Sequence, residues 1–108
     1  MTTITLKVPA SAAKLYPKVG EKIFLQALRE SARRLIAEEQ RELRKINSQR
    51  RKFERKYKMP FTRFEKKIPP EGSYLLHEDY GEWSYLEERA AAILSDVTTY
   101  EQLYGTLK

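Results

Sequence analysis

Between Glu21 and Lys58 apolar residues recur every three or four positions, and no proline or glycine interrupts them. Ile23, Phe24, Ala27, Leu28, Ala32, Leu35 and Ile36 form a broad stripe among Glu, Gln, Lys and Arg, so the pattern predicts one long helix. At 1.5 Å per residue that helix would be about 55 Å long. Beyond Glu39 the stripe narrows to Leu43, Ile46, Phe53 and Tyr57, with Arg50 on the same face, which is a seam and not a core face. A compact domain of this length has a radius of gyration of about 13 Å, so the helix is expected to project and to meet a partner. That partner would pair with it in a short coiled coil or be another protein along which it lies.

The flanking patterns are shorter. Thr3 to Pro9 alternates Ile4, Leu6 and Val8 with Thr3, Thr5 and Lys7, a short amphipathic strand stopped by proline. No second strand pattern follows, so its backbone is expected to pair with another chain as an intermolecular ribbon. A strand followed by helices is also the order of ribbon-helix-helix proteins, whose strands enter the major groove. Thr3, Thr5 and Lys7 are therefore candidate DNA readers, with a purely dimerising strand as the alternative. Ala10 to Tyr16 predicts a short helix before Pro17 and Gly20.

After the long helix, Met59-Pro60 marks a break, and FTRFEKK predicts a short helix with Phe61, Phe64 and Ile68 on one side. Ile68 to Leu76 reads as a linker turned by Pro69, Pro70 and Gly72. Asp79 with Glu82 suggests a helix start, followed by Tyr80, Trp83, Leu86, Ala90, Ile93, Leu94 and Val97 at helical spacing. Thr98 with Glu101 repeats that signal, so a last turn from Tyr100 to Tyr104 is expected to end at Gly105. The fold expected is mainly α, with one amino-terminal strand, one long helix and two or three short carboxyl-terminal helices. Residues 1–40 would form a dimerisation and DNA-binding region, and residues 41–108 a basic helix with a partner-binding region.

Composition sharpens this picture. A hydrophobic fraction of 41% with 33% charged residues implies a small core under a large charged surface. The net charge of +6 is divided: residues 41–67 hold 12 Lys or Arg against Glu42, Glu54 and Glu65, whereas residues 71–101 hold 8 acids against Arg89. Arg50, Arg51, Lys52, Arg55, Lys56 and Lys58 form a basic patch suited to phosphates or an acidic protein, or simply to solvent. With no cysteine, no apolar run of membrane-spanning length and no secretory pattern, a cytoplasmic chain without disulfides is expected.

Catalytic chemistry is not expected. His77 is the sole histidine, and neither a phosphate-binding glycine loop, a nucleophile elbow nor zinc-ligand spacing occurs. Carboxylates such as Glu38 and Glu39, or Glu87 and Glu88, are sequence neighbours that point apart on a helix. No catalytic residue, metal or cofactor is assigned.

The carboxyl-terminal half carries a resemblance. Phe53-Glu54-Arg55-Lys56-Tyr57-Lys58-Met59, then Phe61 and Phe64-Glu65, then His77-Glu78-Asp79-Tyr80, Glu82-Trp83 and Leu86 are similar to a pattern in small prokaryotic type II antitoxin-like proteins. Those proteins read approximately F-E-x-K-Y-G-M, a capped F-x-x-F-E helix and D-Y-x-E-W-x-x-L. The two departures, Lys58 in place of a frequent glycine and Pro60 in place of a capping Ser or Thr, both fall at the break between helices. The resemblance implies a protein that binds and neutralises a cognate toxin, with operator DNA bound through the amino-terminal region as a further partner. From the residues themselves the chain is expected to form a homodimer through its strand and the first half of the long helix, to act by occlusion, and to meet no membrane. The resemblance makes Phe53, Tyr57, Phe61, Phe64, Tyr80, Trp83 and Leu86 the toxin-facing anchors, since aromatics dominate such interfaces. Two alternatives stay open: the same residues forming the chain's own core, and a nucleic-acid-binding helical regulator without a toxin.

Overall fold

The computed structural model describes residues 3, 5, 7–68 and 73–107. It is mainly helical. The helical run Ala10–Tyr57 is broken at Gly20, whose φ of 81° and ψ of 158° no helix accommodates, giving α1 (10–19) and α2 (21–57). Then come α3 (Phe61–Lys67) and α4 (Tyr74–Leu107). Pro17 sits inside α1 and does not stop it, so the glycine and not the proline divides the run.

The long helix is therefore present, but its partner lies in the same chain. Asp79 meets Lys56 and Tyr57, Glu87 meets Arg50, and Leu107 lies beside Leu25, so α4 runs antiparallel along almost the whole of α2. Ile46, Leu86, Ala90, Ile93 and Val97 form the buried cluster between them, with Ile36, Leu43 and Phe53 packed against it. A narrow seam suffices because a second narrow seam faces it. The resulting hairpin measures 65 × 26 × 23 Å, with a radius of gyration of 21.2 Å. Its elongation follows from having two long helices and little else.

The expected series of short carboxyl-terminal helices gives way to one helix of 34 residues. It starts at Tyr74, where Ser73 Oγ accepts from the Leu76 amide at 3.2 Å, so Ser73 and not Asp79 is the capping side chain. His77 consequently lies in the first turns of a helix and not in a linker. The later stop signals also yield. Thr98 and Thr99 donate their hydroxyls to the carbonyls of Leu94 and Ser95, four residues back, and Gly105 lies within the helix. Continuous packing on α2 outweighs these local preferences. Residues 69–72, with the turn expected there, lie outside the described residues.

The amino-terminal strand is not seen. Thr3, Thr5, Lys7, Val8 and Pro9 are exposed and outside any ladder, while Ile4 and Leu6 lie outside the described residues. An isolated strand has no donor or acceptor row to pair with, and the described residues supply none.

Lys58 ends α2 in the left-handed region, with φ 57° and ψ 37°. A Cβ there costs about 1–2 kcal/mol, partly balanced by the greater freedom glycine has when unfolded. Lys58→Gly should therefore stabilise the chain by about 0.5–1 kcal/mol, read as a higher denaturant midpoint at unchanged slope.

Candidate functional site

At the closed end of the hairpin α3 folds across α2 and α4, directed by the break at Lys58-Met59-Pro60. Pro60 lacks a donor but its carbonyl accepts the amides of Arg63 and Phe64, each at 3.1 Å, which starts α3 at once. Phe61 and Phe64 then face α4. The indole of Trp83 is 0% exposed and sits 4.9 Å from the Phe64 ring, 5.4 Å from Phe61, 5.5 Å from Phe53 and 6.1 Å from Tyr57, centroid to centroid. Tyr57 also packs on Phe64 at 4.3 Å, and Phe61 stacks on Tyr80 at 5.8 Å. Leu86 is buried one turn further along α4.

All seven residues chosen as partner anchors thus converge, but on one another. Phe64, Trp83 and Leu86 are buried within the chain, and Phe53, Tyr57, Phe61 and Tyr80 are half-buried around them. In this fold they are the core that closes the hairpin. The resemblance grouped them; which surface they would meet depended on α4, whose full length the local capping and stop signals concealed.

Polar contacts brace this end. Asp79 Oδ2 accepts from Lys56 Nζ at 2.6 Å and from the Tyr57 hydroxyl, and Tyr80 OH donates to Glu65 Oε1 at 3.2 Å. The Lys56 hydrogen bond, followed by that from Tyr57, holds the Asp79 carboxyl below its ordinary value. Burial, helped by the bond to Asp79, pushes the Tyr57 phenol up. Because Asp79 titrates lower when folded, its contribution is complete above the unfolded carboxyl value. It is lost as pH falls through the folded one, below about pH 4. Asp79→Asn should be less stable than the parent at neutral pH, and the gap should shrink in urea titrations repeated below about pH 3.

The basic patch is dispersed by the fold. Arg50 turns into the seam, its Nε 2.5 Å from Glu87 Oε2 and its NH1 donating to Asn47 Oδ1 at 2.8 Å. The Nε–H does not point along the line to Glu87, so that contact is an ion pair and not an aligned hydrogen bond. Lys56 is held by Asp79, and Lys58 lies beyond the helix end. Lys52 and Arg55 remain on the outer face, where Arg41, Arg44 and Lys45 join them, with Arg51 at its edge. Those three additional cations share helical spacing with Lys52 and Arg55, whereas Arg50 and Lys58 are only neighbours in sequence.

A different surface lies at the open end. Leu15, Tyr16, Ile23, Phe24, Leu25, Leu28 and Leu35 are all exposed, Phe24 by 43% and Leu35 by 39%. Phe24, Leu28 and Leu35 share one face of α2, and Tyr16 crosses the Gly20 break to pack edge-on against Phe24 at 6.4 Å. Lys14, Lys18, Lys22, Arg29, Arg33 and Arg34 surround them, against Glu21 and Glu30. Among the described residues no cluster of His, Cys, Asp or Glu could hold a metal ion, and no helix is long and apolar enough to cross a membrane. Comparison of the chain with protein-family models, curated proteins and solved structures finds no match.

Proposed function

We propose that this chain is an antitoxin-like inhibitor that binds a cognate toxin and neutralises it by occlusion, without chemistry of its own. The observation supporting this reading is the exposed apolar face between Leu15 and Leu35. Exposed apolar residues gathered at one end of a helical hairpin, among charged side chains, favour a protein partner. The cationic rim favours a partner whose apolar groove is bordered by acids. The docking surface is thus placed on α1 and the first turns of α2, away from the aromatic cluster. Homodimerisation through residues 1–40, and operator reading by Thr3, Thr5 and Lys7, would require a two-chain ribbon and are not needed for occlusion.

Co-expression with the open reading frames beside its own gene tests the reading. One of those products should arrest growth alone, and the wild-type chain should restore it. Phe24→Glu/Leu28→Glu/Leu35→Glu should abolish rescue while keeping the helical circular dichroism, since these side chains are 43%, 36% and 39% exposed, and their covered parts should lower the melting temperature only modestly. If no neighbouring product is toxic, or the triple variant rescues as well as the parent, the proposal fails.

A further inference from the structure

We propose that the outer face of α2 from Arg41 to Arg55 binds the phosphate backbone of duplex nucleic acid. Arg41, Arg44, Lys45, Lys52 and Arg55 recur at helical spacing, with the neutral hydrogen-bonding residues Ser48 and Gln49 between them. All seven are exposed, and the five cations have no acidic partner among the described residues. The face lies opposite the seam, because it is out of phase with Leu43, Ile46, Phe53 and Tyr57 on the same helix. Glu42 and Glu54, the acids of this segment, fall on its other sides.

Two features favour a nucleic acid over an acidic protein. The face contains no apolar or aromatic side chain, so a protein docked there would lack the buried anchor that supplies most interface energy. Phosphates need no such anchor, and Ser and Gln are as serviceable to them as Arg and Lys. A single strand is disfavoured in turn, because Phe53 and Tyr57 are committed to the ring cluster and the described residues of this face offer no stacking platform. The cations span about 21 Å of a helix braced by α4, a rigid row for contact along a duplex backbone. Across the hairpin, α4 exposes Glu78, Glu82, Glu88, Asp96 and Glu101, so the molecule is basic on one long side and acidic on the other. That asymmetry would orient it on a polyanion.

Fluorescence anisotropy of the isolated chain with a duplex DNA of about 20 base pairs tests this, with salt raised from about 50 to about 200 mM. Five phosphate contacts give a log–log slope near −4.5, an affinity loss of about 500-fold over that range. Arg41→Gln/Lys45→Gln/Lys52→Gln should reduce the slope to about −2, whereas Lys14→Gln/Lys18→Gln/Lys22→Gln should leave it unchanged. Absence of binding at the lowest salt overturns the proposal. So does an unaltered slope in the first variant, tighter binding of the single strand, or binding of polyglutamate but not duplex. The assay contains no toxin, so its failure leaves the inhibitor reading standing.

Discussion

Trp83→Ala should destabilise the chain by about 3–5 kcal/mol, the cost of emptying an enclosed aromatic site. Domains of this size have about 5–15 kcal/mol in total, so much of the population would lose the closed end or unfold. The size of the effect follows from connectivity: Trp83 touches rings from both α2 and α3, so its removal loosens three helices together. Trp83→Phe should cost far less. It keeps a ring and discards an indole N–H that is buried without an acceptor among the described residues. The parent's tryptophan emission should be blue-shifted in the isolated chain, and urea unfolding should shift it to the red. Exposed-type emission from the folded chain would contradict the packing described.

Arg50→Ala should cost about 1–2 kcal/mol, because it strands Glu87 between the helices. The loss stays below that of a fully buried pair since the two side chains keep 29% and 23% of their exposure. Glu87→Ala should cost a similar amount by leaving the guanidinium facing an apolar seam. The double variant Arg50→Met/Glu87→Leu should recover most of this loss, since packing replaces an interaction that had already been weakened by desolvation. Its sharper consequence is register. The ion pair sets Arg50 against Glu87 along a seam otherwise built of Ile, Leu, Ala and Val, which pack acceptably in neighbouring registers. Denaturation of all four proteins tests this, and a double variant as unstable as the worse single variant would refute the assignment.

The long helix from Glu21, the break at Met59-Pro60 and the short helix Phe61–Lys67 were legible because each rests on local rules, namely periodicity and proline. The aromatic set was grouped by the resemblance of its motifs and not by such local rules. What periodicity could not show was that the narrow seam beyond Glu39 has its complement in residues 86–97 of the same chain. That pairing is tertiary, and it overrides the start signals at Asp79 and Thr98 and the stop at Gly105 that suggested a succession of short helices. Arg50 illustrates the same limit. Its place on the apolar face was legible from spacing, but its pairing with Glu87 across the seam was not. The strand pattern of Thr3–Pro9 describes a tendency that one chain alone cannot satisfy.

The central claim is that a partner covers the face from Leu15 to Leu35 while the aromatic end serves the chain itself. Amide hydrogen exchange, measured on the chain alone and on its complex with the neighbouring gene product, tests this most directly. The expected result is strong protection around residues 43–57 and 80–97 in both states, with slowing on binding confined to residues 10–36. Slowing concentrated instead at Phe61, Phe64 and Tyr80, with residues 10–36 unchanged, would contradict the account and return the partner to the aromatic end.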